Sequence, residues 1–120
     1  MPRTLLCVDD HVQELELRKY LFEQRGYTVH TATEGFPALE IAERTPLDLV
    51  MLDYHMDGMD GEAIAKVLKA RHPALRILML SGYDVPERLH VLVDRVVAKA
   101  DPLEDLLRIV DEMAAPAAAR

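Results

Sequence analysis

The sequence is poor in several features that would define a protein class. Its single cysteine, Cys7, cannot form an internal disulfide. Cys7 lies in an apolar run, which predicts a small buried side chain rather than a redox centre. No apolar stretch approaches the roughly 20 residues that a membrane span requires, and the N-terminus lacks a signal-peptide pattern. We therefore expect a cytoplasmic protein that does not act in a membrane.

Basic charge and glycine are also scarce. The net charge is −7, whereas a general nucleic-acid surface needs a basic face, so we expect no direct contact with nucleic acid. The acidic balance instead suits cations or basic partners. The five glycines form neither Gly-x-Gly-x-x-Gly nor Gly-x-x-x-x-Gly-Lys-Ser/Thr, and Ser81-Gly82 is not part of a Gly-x-Ser-x-Gly motif. Nucleotide-binding enzymes and Ser/His/Asp hydrolases are therefore disfavoured.

Short apolar segments alternate with helical patterns along the 120 residues, half of which are apolar. The predicted strands are 3–8, 27–32, 47–52, 75–80 and 95–98. The predicted helices are 12–24, 36–44, 61–71 and 102–113, with a short or distorted fourth helix inside 85–92. This alternation predicts a doubly wound α/β fold, in which helices cover both faces of a five-stranded parallel sheet. We expect one domain over residues 1–114, and a tail or linker stub over 115–120.

Polar side chains stand where the predicted strands end. Asp9 and Asp10 follow the first strand, Asp53 the third, Ser81 the fourth and Lys99 the fifth. Ligands of open parallel sheets bind at this edge. Three carboxylates packed together repel one another, so they must either take up protons or bind a hard cation, for which Mg²⁺ is the best match.

Such a cluster is suited to phosphoryl chemistry. A carboxylate such as Asp53 can attack a phosphoryl group to form an aspartyl phosphate. The transition state then needs positive charge and hydrogen-bond donors around its oxygens. Mg²⁺, Lys99, the Ser81 hydroxyl and backbone N–H groups beside Asp53 and Ser81, including that of Gly82, would supply them.

These residues resemble the receiver domains of response regulators, the phosphoacceptor domains of two-component systems. The resemblance covers nearly the whole chain, through Leu5-Leu6-Cys7-Val8-Asp9-Asp10, Asp53-Tyr54-His55-Met56, Met59-Asp60-Gly61, Leu80-Ser81-Gly82-Tyr83 and Lys99. It implies a flavodoxin-like sheet with strand order 2-1-3-4-5.

The resemblance also implies a function and a set of roles. Asp53 would be phosphorylated by a histidine kinase or a phosphotransfer protein, and the domain would act as a switch, not an enzyme, that promotes its own phosphotransfer and dephosphorylation. Asp9 and Asp10 would bind Mg²⁺ together with Asp53 and the backbone carbonyl of His55, while Ser81 and Lys99 would contact the phosphoryl group. Output would pass through a partner protein or a further domain. A monomer or weak dimer is expected.

Several positions depart from the usual receiver pattern. Asp57 replaces a frequent proline, and its carboxylate either strengthens the need for a cation or faces water. Ala100 replaces the proline that often follows the lysine, so we expect a trans Lys99–Ala100 bond. Val96 replaces a switching aromatic residue, for which Tyr83 is either the nearest substitute or only a partly exposed packing residue. The Ser81–Lys99 spacing is short, which suggests unusual partner recognition around the fourth helix.

Other interpretations stay open at this point. His55 either tunes the access of water to an acyl phosphate or is an exposed loop residue. The string Asp53-x-His55-x-x-Gly58 formally matches the histidine-ligand motif of cobalamin-binding domains, although there the motif follows the first strand. A receiver fold that serves only as an interaction module is the third alternative.

Overall fold

The central sheet has five parallel strands. The structure, a computed structural model, describes residues 2–82 and 84–116. The strands are β1 (Thr4–Val8), β2 (Thr28–Ala32), β3 (Leu49–Asp53), β4 (Ile77–Ser81) and β5 (Arg95–Ala98). Their order is β2-β1-β3-β4-β5, with parallel pairing throughout. The predicted fold class and strand order are therefore confirmed.

Helices connect successive strands and cover both faces of the sheet. They are α1 (Val12–Gln24), α2 (Gly35–Arg44), α3 (Gly61–Arg71), α4 (Glu87–Leu92) and α5 (Leu103–Ala114). The fourth helix has only six residues, which confirms the prediction of a short element. None of the helices in the described ranges is long and apolar enough to cross a membrane.

Alternate side chains of each strand enter two separate cores. Leu5 and Cys7 of β1 pack with α1 and α5 on one face of the sheet, whereas Leu6 and Val8 pack with α2, α3 and α4 on the other. Cys7 is fully buried, and burial raises the pKa of its thiol to about 12. Its predicted place as a core side chain is thus confirmed.

Two aspartates fix where neighbouring strands begin. Asp48, just before β3, accepts a hydrogen bond from the Thr4 backbone N–H at 2.7 Å. Asp94, just before β5, accepts one from the Ile77 N–H at 2.7 Å and another from Lys69 Nζ at 2.7 Å. Both aspartates stand immediately before a strand, and β3 starts at Leu49 rather than at the predicted residue 47.

The departures from the receiver pattern have local outcomes. The Lys99–Ala100 bond is trans, as predicted, because no cis peptide bond occurs in the described ranges. Val96 is half-buried and packs against the core on the α2, α3 and α4 side. Tyr83 lies outside the described residues, as do residues 117–120 of the predicted tail, so the substitute role of Tyr83 stays a prediction.

Candidate functional site

The pairing of β1 with β3 brings the acidic residues together. Val8 and Leu52 are partners in this register. Asp9 and Asp53, one residue further along, therefore lie side by side at the edge of the sheet where the strands end. Both carboxylates are buried, with Asp9 fully inaccessible and Asp53 2% exposed. Side-chain ligand atoms of Asp9, Asp10, His11 and Asp53 all lie within 4.8 Å of one another. The predicted convergence of the three aspartates is therefore what the fold produces.

Lys99 reaches the same carboxylates from β5. Its Nζ lies 3.2 Å from Asp53 Oδ1 and 3.6 Å from Asp9 Oδ2. The backbone holds it there, because the Lys99 N–H donates to the carbonyl oxygen of Ser81 at 2.7 Å. Ser81, which ends β4, is itself 1% exposed. The amine and the hydroxyl-bearing residue thus both flank the acidic cluster.

The two buried carboxylates have pKa values that move in opposite directions. For Asp53, burial and the charge of Asp9 raise the pKa above its usual value, against the opposing effect of Lys99. Burial acts the same way on Asp9, but the His11 backbone N–H and the Arg18 guanidinium outweigh it and lower the pKa. Burial would lower the pKa of Lys99, yet Asp9 and Asp53 keep it raised. Negative charge is therefore stabilised at Asp9 and poorly tolerated at Asp53.

Two buried carboxylate oxygens are left without a donor. Within residues 2–82 and 84–116, Asp10 Oδ1 and Asp53 Oδ2 make no hydrogen bond. Asp10 Oδ1 lies 3.2 Å from the His11 ring nitrogen Nδ1, but not in hydrogen-bond geometry. Buried carboxylate oxygens without donors are costly, and hard oxygen ligands of this kind suit Mg²⁺. The residues present therefore fit a divalent cation.

The loop after β3 is held in shape by close backbone approach. The Tyr54 N–H donates to the Leu80 carbonyl at 2.8 Å, and the Gly61 N–H donates to the Tyr54 carbonyl at 3.2 Å. A Cβ on Gly61 would collide with the backbone of Asp53 and Tyr54. Asp60 caps α3 by accepting a hydrogen bond from the Ala63 N–H at 2.9 Å. Gly61 thus allows the loop to pack tightly behind Asp53.

The other predicted residues of this edge occupy its rim. His55 and Asp57 are exposed. Their backbone N–H groups donate into the cluster, from His55 to Asp53 Oδ1 at 3.4 Å and from Asp57 to Asp10 Oδ2 at 3.2 Å. The Asp57 side chain faces water, one of the two outcomes considered. Gly82 is also exposed, with open space where a Cβ would stand.

The sequence analysis missed three ionisable neighbours of this site. Arg18 is buried and donates to Asp9 Oδ2 at 2.6 Å. Glu14 Oε2 lies 3.3 Å from Arg18 and 3.4 Å from Lys99, and His11 contacts Asp9 through both its backbone N–H and its ring. The sequence did indicate that Arg18 is buried, because helical spacing places it on the same face of α1 as the buried residues Leu15 and Phe22.

Comparison with known proteins points to one family. Residues 5–111 match the response regulator receiver domain. Among curated relatives, the alkaline phosphatase synthesis transcriptional regulatory protein PhoP of Bacillus subtilis is 37% identical over 84 residues, which cover 70% of this chain and 35% of PhoP. Sporulation initiation phosphotransferase F, also of Bacillus subtilis, is 34% identical over 83 residues, covering 69% of this chain and 67% of that protein.

Solved structures agree with this assignment. The response regulator TrrA from Thermotoga maritima, in complex with Mg²⁺ and BeF, superposes with a TM-score of 0.86 at 27% identity, covering 92% of this chain and 98% of TrrA. The chain belongs to the response regulator receiver domain family, a class of signalling switch in two-component systems. It spans well under two thirds of several curated relatives, such as 19% of the transcriptional regulatory protein ZraR of Escherichia coli.

Proposed function

We propose that Asp53 accepts a phosphoryl group from a phosphohistidine of a histidine kinase or phosphotransfer protein, in a Mg²⁺-dependent reaction. The observation that carries this proposal is that the Asp53 carboxylate is buried and incompletely hydrogen-bonded. One of its oxygens faces Lys99 at 3.2 Å, and the other has no donor within the described part of the chain. A carboxylate whose negative charge is poorly compensated is prepared to attack an electrophile.

The transfer step exchanges one bond to phosphorus for another. An Asp53 oxygen attacks the phosphorus atom while the bond between phosphorus and the donor's imidazole nitrogen breaks. The bonding electron pair stays on that nitrogen, and the product on this chain is an acyl phosphate. Lys99, which now contacts Asp53 Oδ1, is close enough to contact a phosphoryl oxygen instead, and the Ser81 hydroxyl offers a second donor. The chain thus promotes its own phosphorylation without being an enzyme for another substrate.

The cation would be held by residues of the acidic cluster. Asp10 and Asp53 offer oxygens without donors, and Asp9 and the backbone carbonyl of His55 are the further candidates. When bound, Mg²⁺ neutralises the carboxylates and the charge of the incoming phosphoryl oxygens. The relative TrrA was solved in complex with Mg²⁺ and BeF, which supports the same chemistry here.

Phosphorylation would act on partners by shifting a local equilibrium. New contacts from Ser81 and Lys99 to the phosphoryl group would bias the packing of the loops after β3 and β4. The matched relatives include a transcriptional regulatory protein and a phosphotransferase, so output through a partner protein or a further domain is consistent with the family. A cytoplasmic location and a monomeric or weakly dimeric state stay predictions from the sequence.

The direct test is phosphoryl incorporation from radiolabelled acetyl phosphate. Wild-type protein should become labelled in the presence of Mg²⁺, and chelation by EDTA should abolish the labelling. Asp53→Asn should lose the label completely because the nucleophile is gone. The matched control is Asp57→Asn, which removes an exposed carboxylate from the same loop. Its rate of labelling should stay within about twofold of wild type, because the side chain faces water and contributes little to the barrier.

The same experiment separates switching from mere interaction. If Asp53→Asn is labelled as well as the wild type, or if neither is labelled, Asp53 is not the acceptor. A wild type that folds and stays unlabelled would favour the alternative of a receiver fold that serves only as an interaction module. Titration with beryllofluoride, a phosphoryl mimic, provides an independent readout through chemical-shift changes at Ser81 and Lys99.

A further inference from the structure

Among the residues that the structure describes, Arg18 is the one charged residue on the buried face of a helix, and its side chain reaches the site. The buried residues of α1 are Leu15, Arg18 and Phe22, and the Arg18 side chain is only 11% exposed. Its Nη2 donates to Asp9 Oδ2 at 2.6 Å and contacts Glu14 Oε2 at 3.3 Å. Arg18 therefore places a permanent positive charge beneath the acidic cluster.

This contact divides the aspartates into two kinds. Both oxygens of Asp9 are already occupied, Oδ2 by Arg18 and Oδ1 by the His11 backbone N–H at 2.9 Å and ring nitrogen at 3.2 Å. Asp10 and Asp53 each keep one buried oxygen without a donor. Protein groups thus neutralise Asp9, whereas Asp10 and Asp53 retain binding capacity for a cation.

The hydrogen bonding of Arg18 is incomplete. Its Nη1 is buried without a hydrogen-bond acceptor in the described part of the chain, and an incompletely paired buried cation is costly. An apolar side chain at this position could pack with Leu15 and Phe22 without that cost, but it would leave the buried Asp9 carboxylate without its cation. What an apolar residue could not do is neutralise Asp9 and repel a second cation.

We propose that Arg18 is a positioning residue that holds Asp9 and weakens the binding of Mg²⁺ at the acidic cluster. This inference rests on the proposed function, because it concerns the same cation. A unit charge about 6 Å from a divalent cation changes its affinity about tenfold even at the dielectric constant of water. Arg18 therefore sets how strongly the unphosphorylated site binds Mg²⁺.

The test is a titration of the isotope-labelled chain with MgCl₂, followed by nuclear magnetic resonance. Arg18→Met and Arg18→Gln remove the charge, and the second keeps a donor for Asp9 in case the first fails to fold. Both should bind Mg²⁺ about tenfold more tightly than wild type. Arg18→Lys keeps the charge and should stay within about twofold of wild type, as should Lys19→Met. That variant removes a charge from the same helix, where Lys19 pairs with Glu23.

Each other outcome overturns the inference in a recognisable way. Equal or weaker Mg²⁺ binding by both neutral variants would mean that Arg18 orients Asp9 as a ligand instead. If both neutral variants lack dispersed spectra at every Mg²⁺ concentration, Arg18 is a structural residue only. In these cases normal labelling of wild-type Asp53 by acetyl phosphate would still support the proposed function. If the wild type neither binds Mg²⁺ nor becomes labelled, both the proposed function and the inference about Arg18 are wrong.

Discussion

Aspartates occupy both edges of the same sheet, but their surroundings differ. At the edge where strands begin, Asp48 and Asp94 accept backbone N–H groups of neighbouring strands. At the edge where strands end, Asp53 is 2% exposed and has an oxygen without a donor within the described residues. The first edge uses carboxylates to complete the hydrogen bonding of the backbone, and the second concentrates charge that the protein only partly neutralises.

The contrast shows which edge of the sheet carries the reactive carboxylates. Satisfied carboxylates lower the free energy of the folded state, whereas crowded buried ones raise it. Asp53 is the carboxylate whose negative charge is poorly compensated, and phosphoryl chemistry is proposed there. The satisfied carboxylates at the opposite edge of the sheet stabilise the folded state. Substitutions at the two edges should therefore change stability in opposite directions.

The largest effect is expected at Asp94. Asp94→Ala should destabilise the protein by about 2 kcal/mol, because the buried Ile77 N–H would lose its acceptor. Lys69 would lose its ion pair as well, although it keeps the Leu75 carbonyl. Urea unfolding followed by circular dichroism measures the change. Asp94→Asn keeps an acceptor oxygen and should cost about half as much or less; equal losses for the two variants would show that the ion pair matters rather than the backbone contact.

A smaller and opposite effect is expected at Asp53. In EDTA at neutral pH, Asp53→Asn should stabilise the protein by about 1 kcal/mol, because a crowded buried charge becomes a neutral amide. Lys99 would keep Asp9 and Glu14 as partners. The same urea titration applies. Asp48→Asn, at the other edge, serves as control and should not stabilise; a destabilised Asp53→Asn would mean that its contact with Lys99 outweighs the crowding.

The sequence predicted which residues meet at the edge where the strands end, but it did not predict the hydrogen-bond partners of their individual oxygen atoms. Alternating apolar segments and aspartates at strand ends predicted a parallel sheet and the convergence of Asp9, Asp10 and Asp53, and the resemblance to receiver domains implied the strand order. Asp9 and Asp10 are chemically identical neighbours, however, and only the three-dimensional arrangement pairs Asp9 with Arg18 and leaves an oxygen of Asp10 without a donor. Their position after β1 predicts that both lie at the edge where the strands end, but it does not indicate which donors they meet.

Some element boundaries differ from the predicted ones by one or two residues. The predicted third strand began at residue 47 because Leu47 continues an apolar run, yet the Asp48 carboxylate binds the Thr4 N–H and the strand starts later. The predicted second helix began at Phe36, whereas α2 starts at Gly35 and leaves Phe36 71% exposed. Local hydrophobic pattern identifies an element, but it does not fix its terminal residues, which depend on the hydrogen bonding at each end.

The smallest expected effect is a pH-dependent one at the edge where strands begin. Asp111 of α5 accepts a hydrogen bond from the Tyr27 hydroxyl at 2.5 Å and forms an ion pair with Arg25. Burial opposes ionisation of Asp111, but Tyr27 and Arg25 outweigh it and lower its pKa below the usual value of 3.8. Asp111 thus ties the last helix to the turn before β2.

A carboxyl group whose pKa is lowered by folding stabilises the protein above its unfolded-state pKa, and the stabilisation disappears as pH falls through the folded-state value. Asp111→Asn should therefore cost about 0.5 kcal/mol at pH 7, a modest loss because the pair is half-exposed and screened. The difference from wild type in urea unfolding should shrink as pH falls below the usual pKa of Asp111. Tyr27→Phe, which removes the hydroxyl, should reduce this pH dependence. A difference between wild type and Asp111→Asn that stays constant from pH 7 down through the acid range would show that Asp111 contributes by packing rather than by charge.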